Sequence, residues 1–506
     1  MWQTIVVGSG IGGLAAAAAL AKCGKRVLLL EQHTVAGGQT QTFRRQDWVF
    51  ATGVHYVSGV GPQAGPEGQV RRLLESLGDG TLQFAPCANP YDIVRLPGFT
   101  FGIPHPESAY RAALNERFPG EAVAIERWFD ACHAARKAGF ALMAAHSLPT
   151  WIGWGVRLLR TSQLSAWAQR TLADELATIA QPQLRAVLGA RWADYGAPPQ
   201  TAPFIEHAWV TGAYDGGAYY PVGGPARFAQ TLLPTVEMAG GEYRLGAEVR
   251  RIVVENGHAV GVEVAQGGKV SIERAKHVIS DIGLANTLAC LDPSAATQWR
   301  EQASALRPGL GYVALYIGLE GDIAAAGATS ANHWIYESED IGRVWRQPAD
   351  EDAPGLFVSF PSLKDPAWQG PPTAEVLGLV DRAAFAPWLH NADAADDYAA
   401  FKDWVAERLL AQFERHFPAL APMVRFHEAA TPLTQRRFVR AVDGAMYGLE
   451  VSVERQGSDA INLRTPVPGL LLAGQDVVGP GVQAAFMGGL MAAATVEPVL
   501  WRKLGE

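Results

Sequence analysis

The sequence predicts an α/β fold in which a discontinuous Rossmann-type domain is joined to a second, α+β domain. Three observations support this prediction. A glycine-rich turn separates two apolar strands at the N-terminus, a strand followed by glycines and a small-residue helix lies near the C-terminus, and a strand-rich zone lies between them. Pieces of one parallel sheet that are distant in sequence indicate a domain that the chain leaves and later re-enters.

The first element is a strand that ends in the turn Gly8-Ser9-Gly10-Ile11-Gly12-Gly13. Gly8, Gly10 and Gly13 satisfy the G-x-G-x-x-G spacing. In this pattern the glycines allow a tight turn, a close approach of the backbone to a pyrophosphate, and close packing of helix against strand. The following helix offers free N–H groups to the phosphates. We therefore expect a dinucleotide here, with Gly12 in the same site; the alternative is an ordinary glycine-rich turn.

The second strand, Arg26 to Leu30, ends at Glu31, whose carboxylate can accept a hydrogen bond from a ribose hydroxyl. The pair Gly37-Gly38 comes shortly after it and favours FAD over NAD, because bare backbone can pass close to the diphosphate of a long cofactor. The alternative is a surface turn. The predicted cofactor site includes the neighbours Gln32, Gly38, Gln39 and Thr40.

Near the C-terminus, the strand Gly469 to Ala473 runs into Gly474-Gln475-Asp476 and then Gly479-Pro480-Gly481-Val482. The last group resembles a second fingerprint, but no further strand ending in an acidic residue follows it. The pattern therefore predicts a helix N-terminus directed at the same cofactor. Asp476 would accept a hydrogen bond from a sugar or ribityl hydroxyl, and the alternative is a helix N-cap. We place Gly474, Asp476, Gly481 and Val482 in the site.

Composition limits the classes of protein. The chain has 506 residues, 48% hydrophobic and 18% charged, which indicates a globular protein of two or three domains. Its net charge of −8 argues against a nucleic-acid partner. The four cysteines are widely spaced and the histidines are scattered, so neither a disulfide framework nor a metal site is predicted. A reducing cytoplasm fits this pattern. No uninterrupted apolar run is long enough to predict a membrane-spanning helix.

The predicted domain boundaries follow the changes in pattern. The cofactor domain takes residues 1–80, 215–290 and 430–506, and the substrate domain takes 81–214 and 291–429. Within the first, a hairpin is predicted around Glu255-Asn256-Gly257. Helical patterns dominate from about residue 86 to 213.

The segment 148–160 combines Trp and Arg at helical spacing and suits a membrane-facing helix with peripheral contact to lipid; the alternative is a helix packed on the protein's own core.

Candidate catalytic residues lie in glycine-flanked segments. His55 and Tyr56 follow Thr52-Gly53, and a histidine there can exchange a proton near a flavin. The alternative is a histidine whose nitrogens are satisfied by backbone. Tyr220, beside Tyr219, can wall an apolar channel or donate a phenolic proton, and its alternative is plain core packing.

Several runs resemble the retinol saturase family, the all-trans-retinol 13,14-reductases, which stand with phytoene desaturases and carotenoid isomerases in a flavin amine-oxidase-like superfamily. The runs that carry the resemblance span nearly the whole chain: residues 30–43, 52–56, 195–199, 217–224, 431–434, 447–448 and 472–477. The resemblance implies a two-domain fold, FAD bound in an extended form and a long apolar tunnel. It also implies that Val249 contacts the adenine through its backbone.

The leading hypothesis from this resemblance is an FAD-dependent oxidoreductase that saturates a C=C bond of an apolar conjugated polyene. A desaturase or a cis–trans isomerase on the same scaffold is an alternative, because fold does not determine reaction direction. A flavin-bearing carotenoid-binding protein without turnover is an alternative from another class. Since the sequence has no second complete fingerprint, electrons would come from NAD(P)H docked transiently or from another external partner.

Overall fold

The computed structural model describes residues 1–62, 68–147, 162–389 and 395–505. The predicted membrane-facing segment 148–160 lies outside the described residues. Among the helices that are described, none is both long and apolar enough to cross a membrane.

The first large sheet has seven strands and is mostly parallel around its centre. Strand Trp2–Val7 pairs in parallel with Val27–Leu30 on one side and with Lys269–Ser280 on the other, and Leu470–Leu472 pairs in parallel with Lys269–Ser280. The carboxyl ends of these four strands therefore meet at one edge of the sheet. The remaining strands are Glu242–Arg244, Ala247–Glu255 and His258–Gln266.

Helix Ile11–Lys22 follows the glycine turn and is buried on almost every side. Its alanines let it pack against two other helices, Gly481–Val496 and Arg227–Met238, as well as against the sheet. The C-terminal helix approaches the turn directly: a Cβ at Gly489 would lie 2.0 Å from the Gly12 carbonyl oxygen. Packing of this kind joins the two ends of the chain in one layer.

The second large sheet also has seven strands. From one edge to the other they are Val424–Ala430, Gly311–Leu319, Thr373–Val380, Gly355–Ser359, Asn332–Tyr336, Asp92–Leu96 and Phe99–Ile103. The hairpin formed by the last two strands was not predicted, because helical patterns dominate that part of the sequence. Its turn is made by Pro97 and Gly98, with Gly98 at φ +69°, and the Pro-Gly pair is a turn signal in the sequence.

The rest of the described chain contains further helices, two short ribbons, and the turns and loops that connect them. The other helices are Gln69–Gly78, Glu107–Arg117, Ala122–Ser147, Ser162–Gln169, Leu172–Leu176, Pro182–Gly189, Phe204–Ala213, Leu284–Ala289, Thr297–Ala303, Ala386–Leu389, Ala395–His416, Pro432–Val439, Val453–Gly457 and Leu500–Leu504. The ribbons pair Thr42–Arg45 with Trp48–Ala51, and Phe84–Pro86 with Tyr219–Pro221.

Each large sheet falls almost entirely within one predicted domain. Those of the first sheet fall within 1–80, 215–290 and 430–506, and those of the second within 81–214 and 291–429 except for residue 430. The domain division itself stays a prediction. The hairpin around Asn256-Gly257 forms as predicted, between Ala247–Glu255 and His258–Gln266.

Candidate active site

One cavity of about 1450 Å³ is lined by residues of both large sheets. It is larger than the pockets that usually hold a single small ligand. Most of the predicted site residues line it, and these are Gly8, Gly10, Gly12, Glu31, Gln32, Gly38, Gln39, Thr40, His55, Tyr56, Val249, Asp476, Gly481 and Val482. Gly13, Gly474 and Tyr220 do not. The cavity therefore has room for a cofactor and a substrate together.

The glycine turn has the geometry that its spacing predicts. Gly8 has a φ of +95°, in the region that favours glycine. A Cβ at Gly13 would lie 2.1 Å from the Gly8 carbonyl oxygen, and one at Gly12 would lie 2.8 Å from the Cα of Gly474. Gly13 and Gly474 are thus packing positions behind the cavity wall, while Gly8, Gly10 and Gly12 face it.

Glu31 holds the turn in shape. One of its carboxylate oxygens accepts hydrogen bonds from the Ser9 N–H at 2.9 Å and the Ser9 hydroxyl at 2.6 Å, and the other accepts one from the His33 N–H at 2.7 Å. The Ser9 hydroxyl in turn accepts from the Gly37 N–H at 3.0 Å. Glu31 therefore links the glycine turn to the second glycine pair, a role that the sequence analysis did not foresee.

Asp476 is almost fully buried and binds two backbone N–H groups. Its carboxylate accepts from Leu284 at 2.8 Å and from Leu449 at 3.1 Å. It therefore caps helix Leu284–Ala289, whereas the capping alternative in the sequence analysis concerned the helix that follows it in sequence. That later helix, Gly481–Val496, has no side-chain cap, so its N–H groups at the cavity are available to an acceptor.

The other polar residues of the predicted cofactor loop bind within the chain. The Gln32 amide donates to the Phe438 carbonyl at 2.8 Å, and the Thr40 hydroxyl donates to the Gly37 carbonyl at 2.8 Å. The Gln39 amide donates to the Gln435 side chain. These bonds fix the loop that follows the second strand while its backbone remains at the cavity wall.

His55 lies in the cavity wall with its two ring nitrogens in different environments. Nδ1 is 2.8 Å from Oε2 of Glu375, which is fully buried and whose other oxygen accepts from the Ala51 N–H at 2.7 Å. A carboxylate can only accept, so Nδ1 carries a proton. Nε2 is buried and has no hydrogen-bond partner among the described residues. Protonated His55 can therefore donate a proton from Nε2, and neutral His55 can accept one there.

His55 lies between the predicted cofactor loop and an apolar wall. The Thr52 hydroxyl, three residues earlier, donates to the Gln39 carbonyl at 3.0 Å. The imidazole packs on Phe357 with ring centroids 5.1 Å apart, and Phe357 packs on Trp334 at 4.7 Å. The wall continues through Trp209, Val210, Tyr336, Leu356, Leu377, Leu379 and Met446.

Tyr56 belongs to a buried ionic network that the sequence analysis missed. Its hydroxyl donates to Asp194 at 3.4 Å, and its ring stacks on Tyr214 at 4.8 Å. Arg191 lies 3.3 Å from Asp92 and 3.5 Å from Asp194. Burial, reinforced by Asp194, raises the pKa of Tyr56 well above its usual range, so the phenol stays neutral. Tyr56 is therefore a hydrogen-bonding wall residue.

Lys364 supports His55 from behind. Its ammonium group donates to the His55 carbonyl at 2.8 Å, to the Ser359 hydroxyl at 2.7 Å and to the side chain of Asn332. Burial lowers the pKa of Lys364 to about 8. No signal near residue 364 in the sequence connects it with residue 55.

Tyr220 was predicted as a catalytic candidate, and the structure places it elsewhere. Its side chain is only 1% exposed and belongs to an apolar core cluster. The strand Tyr219–Pro221 pairs with Phe84–Pro86, and this pairing directs Tyr220 into the core rather than into the cavity. This placement favours the packing alternative, and we leave Tyr220 out of the proposed catalytic set.

Glu206 and His207 point to different environments, as expected for adjacent residues on a helix. His207 is buried between the Tyr195 hydroxyl at 3.1 Å and the Leu188 carbonyl at 2.9 Å, and burial lowers its pKa to about 3. Glu206 lines the cavity, and burial raises its pKa to about 7.

Comparisons with known proteins identify the family. The family profile described as flavin containing amine oxidoreductase matches residues 11–496. The chain belongs to the flavin-containing amine oxidoreductase family. Its members carry a flavin, and the cofactor of this chain is FAD. The site fits this family. The backbone of the glycine turn is bare, and helices Ile11–Lys22 and Gly481–Val496 both begin without a side-chain cap, so both can bind the phosphates of a dinucleotide.

Two proteins of similar sequence and one of similar structure illustrate the comparison. The all-trans-retinol 13,14-reductase of Homo sapiens is 32% identical over 98% of this chain and 85% of its own length. The chloroplastic prolycopene isomerase of Daucus carota is 25% identical over 98% of this chain and 80% of its own length. Cyclohexylamine oxidase from Brevibacterium oxydans has a similar structure, with a TM-score of 0.64 at 17% identity and full coverage of both chains.

Proposed function

We propose that the protein is an FAD-dependent oxidoreductase that saturates a C=C bond of an apolar, conjugated polyene of the retinoid or carotenoid kind. The observation that carries this proposal is the position of His55. His55 lines a cavity whose one side is the glycine turn and whose other side is an apolar wall, and its buried Nε2 has no hydrogen-bond partner among the described residues. The similarity to a retinol reductase over 98% of the chain supports the substrate class.

The cofactor would be held by the backbone of Gly8, Gly10 and Gly12, by Glu31, and by the N-terminus of helix Gly481–Val496. Val249 lines the cavity beside the carboxyl edge of the first sheet and would contact the adenine through its backbone. Reduced flavin supplies a hydride equivalent when it is bound. The protein's own contribution is to orient the polyene, exclude water and supply a proton.

The proton would come from His55. Glu375 accepts from Nδ1, so a protonated imidazole would release its second proton from the unpartnered Nε2. Phe357 and Trp334 shield this position from water and offer flat apolar surface to a conjugated chain. After donation, the neutral imidazole keeps its orientation because Nδ1–H remains bound to Glu375.

The electron donor would be external, either NAD(P)H that docks transiently or a protein partner. The described structure contains one sheet with a glycine turn of the dinucleotide type. A second nucleotide would therefore have to share the cavity or reach the cofactor from its mouth.

The test is an anaerobic reaction of the chemically reduced holoprotein with a panel of retinoids and carotenoids. We expect the oxidised flavin absorbance to return in proportion to the polyene added. A control without polyene should stay reduced. If no polyene returns the flavin to its oxidised form, the reductase proposal is wrong.

An isomerase is the second candidate, favoured by the similarity to the carrot prolycopene isomerase over 98% of the chain. An isomerase would change the elution time of the polyene without changing its mass and without net oxidation of the flavin. The anaerobic reaction distinguishes the two because it follows both the flavin and the polyene.

A further inference from the structure

Asp281 follows strand Lys269–Ser280 and lies against the glycine turn. A Cβ at Gly10 would be 2.7 Å from one of its carboxyl oxygens, and Cβ atoms at Gly12 and Gly474 would be 2.4 Å and 2.1 Å from the other. The carboxyl group therefore contacts the bare backbone of three glycines from both ends of the chain. This is the same surface that a pyrophosphate approaches in a turn of this type.

The surroundings of Asp281 contain further acids. The charged groups that face it from the packed elements are Glu31, at the end of the second strand, and Asp476, in the loop before the last long helix. The Gly13 N–H donates to its carboxyl group. Burial, followed by the two neighbouring carboxylates, raises the pKa of Asp281 to about 8.

We propose that Asp281 is a cofactor-binding residue whose carboxyl group must carry a proton for the pyrophosphate to bind tightly. An ionised Asp281 would add a third carboxylate beside Glu31 and Asp476 and would repel the phosphates. The neutral acid instead offers an O–H donor to a phosphate oxygen. Above the pH at which Asp281 ionises, each cofactor that binds takes up one proton from solvent.

The test follows release of FAD from the holoprotein between pH 7 and pH 9.5, measured as recovered flavin fluorescence in the absence of any polyene. The affinity of the unaltered protein should fall by about 30-fold over this range, since only the protonated fraction binds tightly. Asp281→Asn should hold FAD with less than about threefold change, because its amide is neutral throughout and can donate. Asp350→Asn, an exposed matched control, should keep the steep dependence.

A second measurement covers the case in which Asp281→Asn does not fold. Calorimetry of FAD binding to the flavin-stripped full-length protein, in two buffers of different ionisation enthalpy at pH 9, should show uptake of close to one proton per FAD. Absence of proton uptake, or a slope for Asp281→Asn equal to that of the unaltered protein, would overturn the proposal. Neither measurement depends on the identity of the substrate.

Discussion

His55 Nδ1 lies 2.8 Å from Glu375 Oε2, a contact between residues 320 positions apart in sequence. Glu375 is fully buried and its second oxygen is held by the Ala51 N–H, so the carboxylate cannot turn away. The imidazole, which lines the cavity, is therefore held in one orientation. We propose that this orientation allows His55 to donate a proton from Nε2.

His55→Gln should retain FAD and lose turnover by between about 100- and 10,000-fold, the usual contribution of a positioned general acid. The glutamine can bond to Glu375 but cannot release a proton at neutral pH. Absorbance measures whether FAD is retained, and the rate of flavin reoxidation by polyene measures the loss of turnover. His258→Gln, at an exposed position directly after the hairpin turn, is the control and should be unchanged. Unaltered turnover in His55→Gln would return His55 to a structural role.

Glu375→Gln should lower kcat by about 10- to 100-fold while KM for the polyene changes little, as for loss of a group that orients an acid. An amide can still accept from the Ala51 N–H, so the fold should survive. A rise in KM as large as the fall in kcat would indicate damage to the structure instead.

Gly10→Val should abolish FAD binding. The Cβ would lie 2.7 Å from the Asp281 carboxyl group, and the branched side chain would cover the backbone that a pyrophosphate approaches. Flavin content of the purified protein measures the loss. Gly120→Val is the control, since a Cβ there meets nothing within 4 Å. Normal flavin content in Gly10→Val would contradict the assigned cofactor site.

Glu206→Gln should stabilise the protein at pH 8 but not at pH 5. Burial raises the pKa of folded Glu206 to about 7, above its unfolded value, so the folded state holds the proton more firmly. The stability that this stronger proton binding gives the folded state is present at low pH and is lost as the pH rises through 7. At pH 8 the free energy of unfolding of the variant should exceed that of the unaltered protein by about 1–3 kcal/mol. Unfolding midpoints at both pH values check this.

Glu301→Gln, at an exposed position, is the matched control for Glu206→Gln and should show no difference between the two pH values. A gain in Glu206→Gln that is equal at pH 5 and pH 8 would show that titration is not its cause.

Local signals in the sequence predicted much of the first sheet. The glycine turn, the hairpin at Asn256-Gly257 and the C-terminal strand with its helix all form where they were expected. Each of these elements has a local signal, because a glycine or a small residue is required there and its few neighbours in sequence show why. The short strand Asp92–Leu96 was missed because its turn is followed by long helices that dominate the pattern.

The chemistry of the site was harder to predict because it depends on long-range contacts. The contacts of His55 with Glu375, of Tyr56 with Asp194 and of Asp281 with Gly474 each join residues that are distant in sequence. Tyr220 lies outside the cavity for the same reason, since the strand that contains it pairs with a segment far earlier in the chain. A motif can indicate a cofactor from sequence, but the proton donor depends on the assembled fold.

The most direct test of the proposed function is the mass of the product from an anaerobic reaction of the reduced holoprotein with a polyene that reoxidises its flavin. Saturation of one C=C bond predicts a product heavier than its substrate by two hydrogens, with one formed for each flavin oxidised. In deuterated water the carbon that receives the proton should carry one deuterium. A product of unchanged mass, or one lighter by two hydrogens, would contradict the assignment as a reductase.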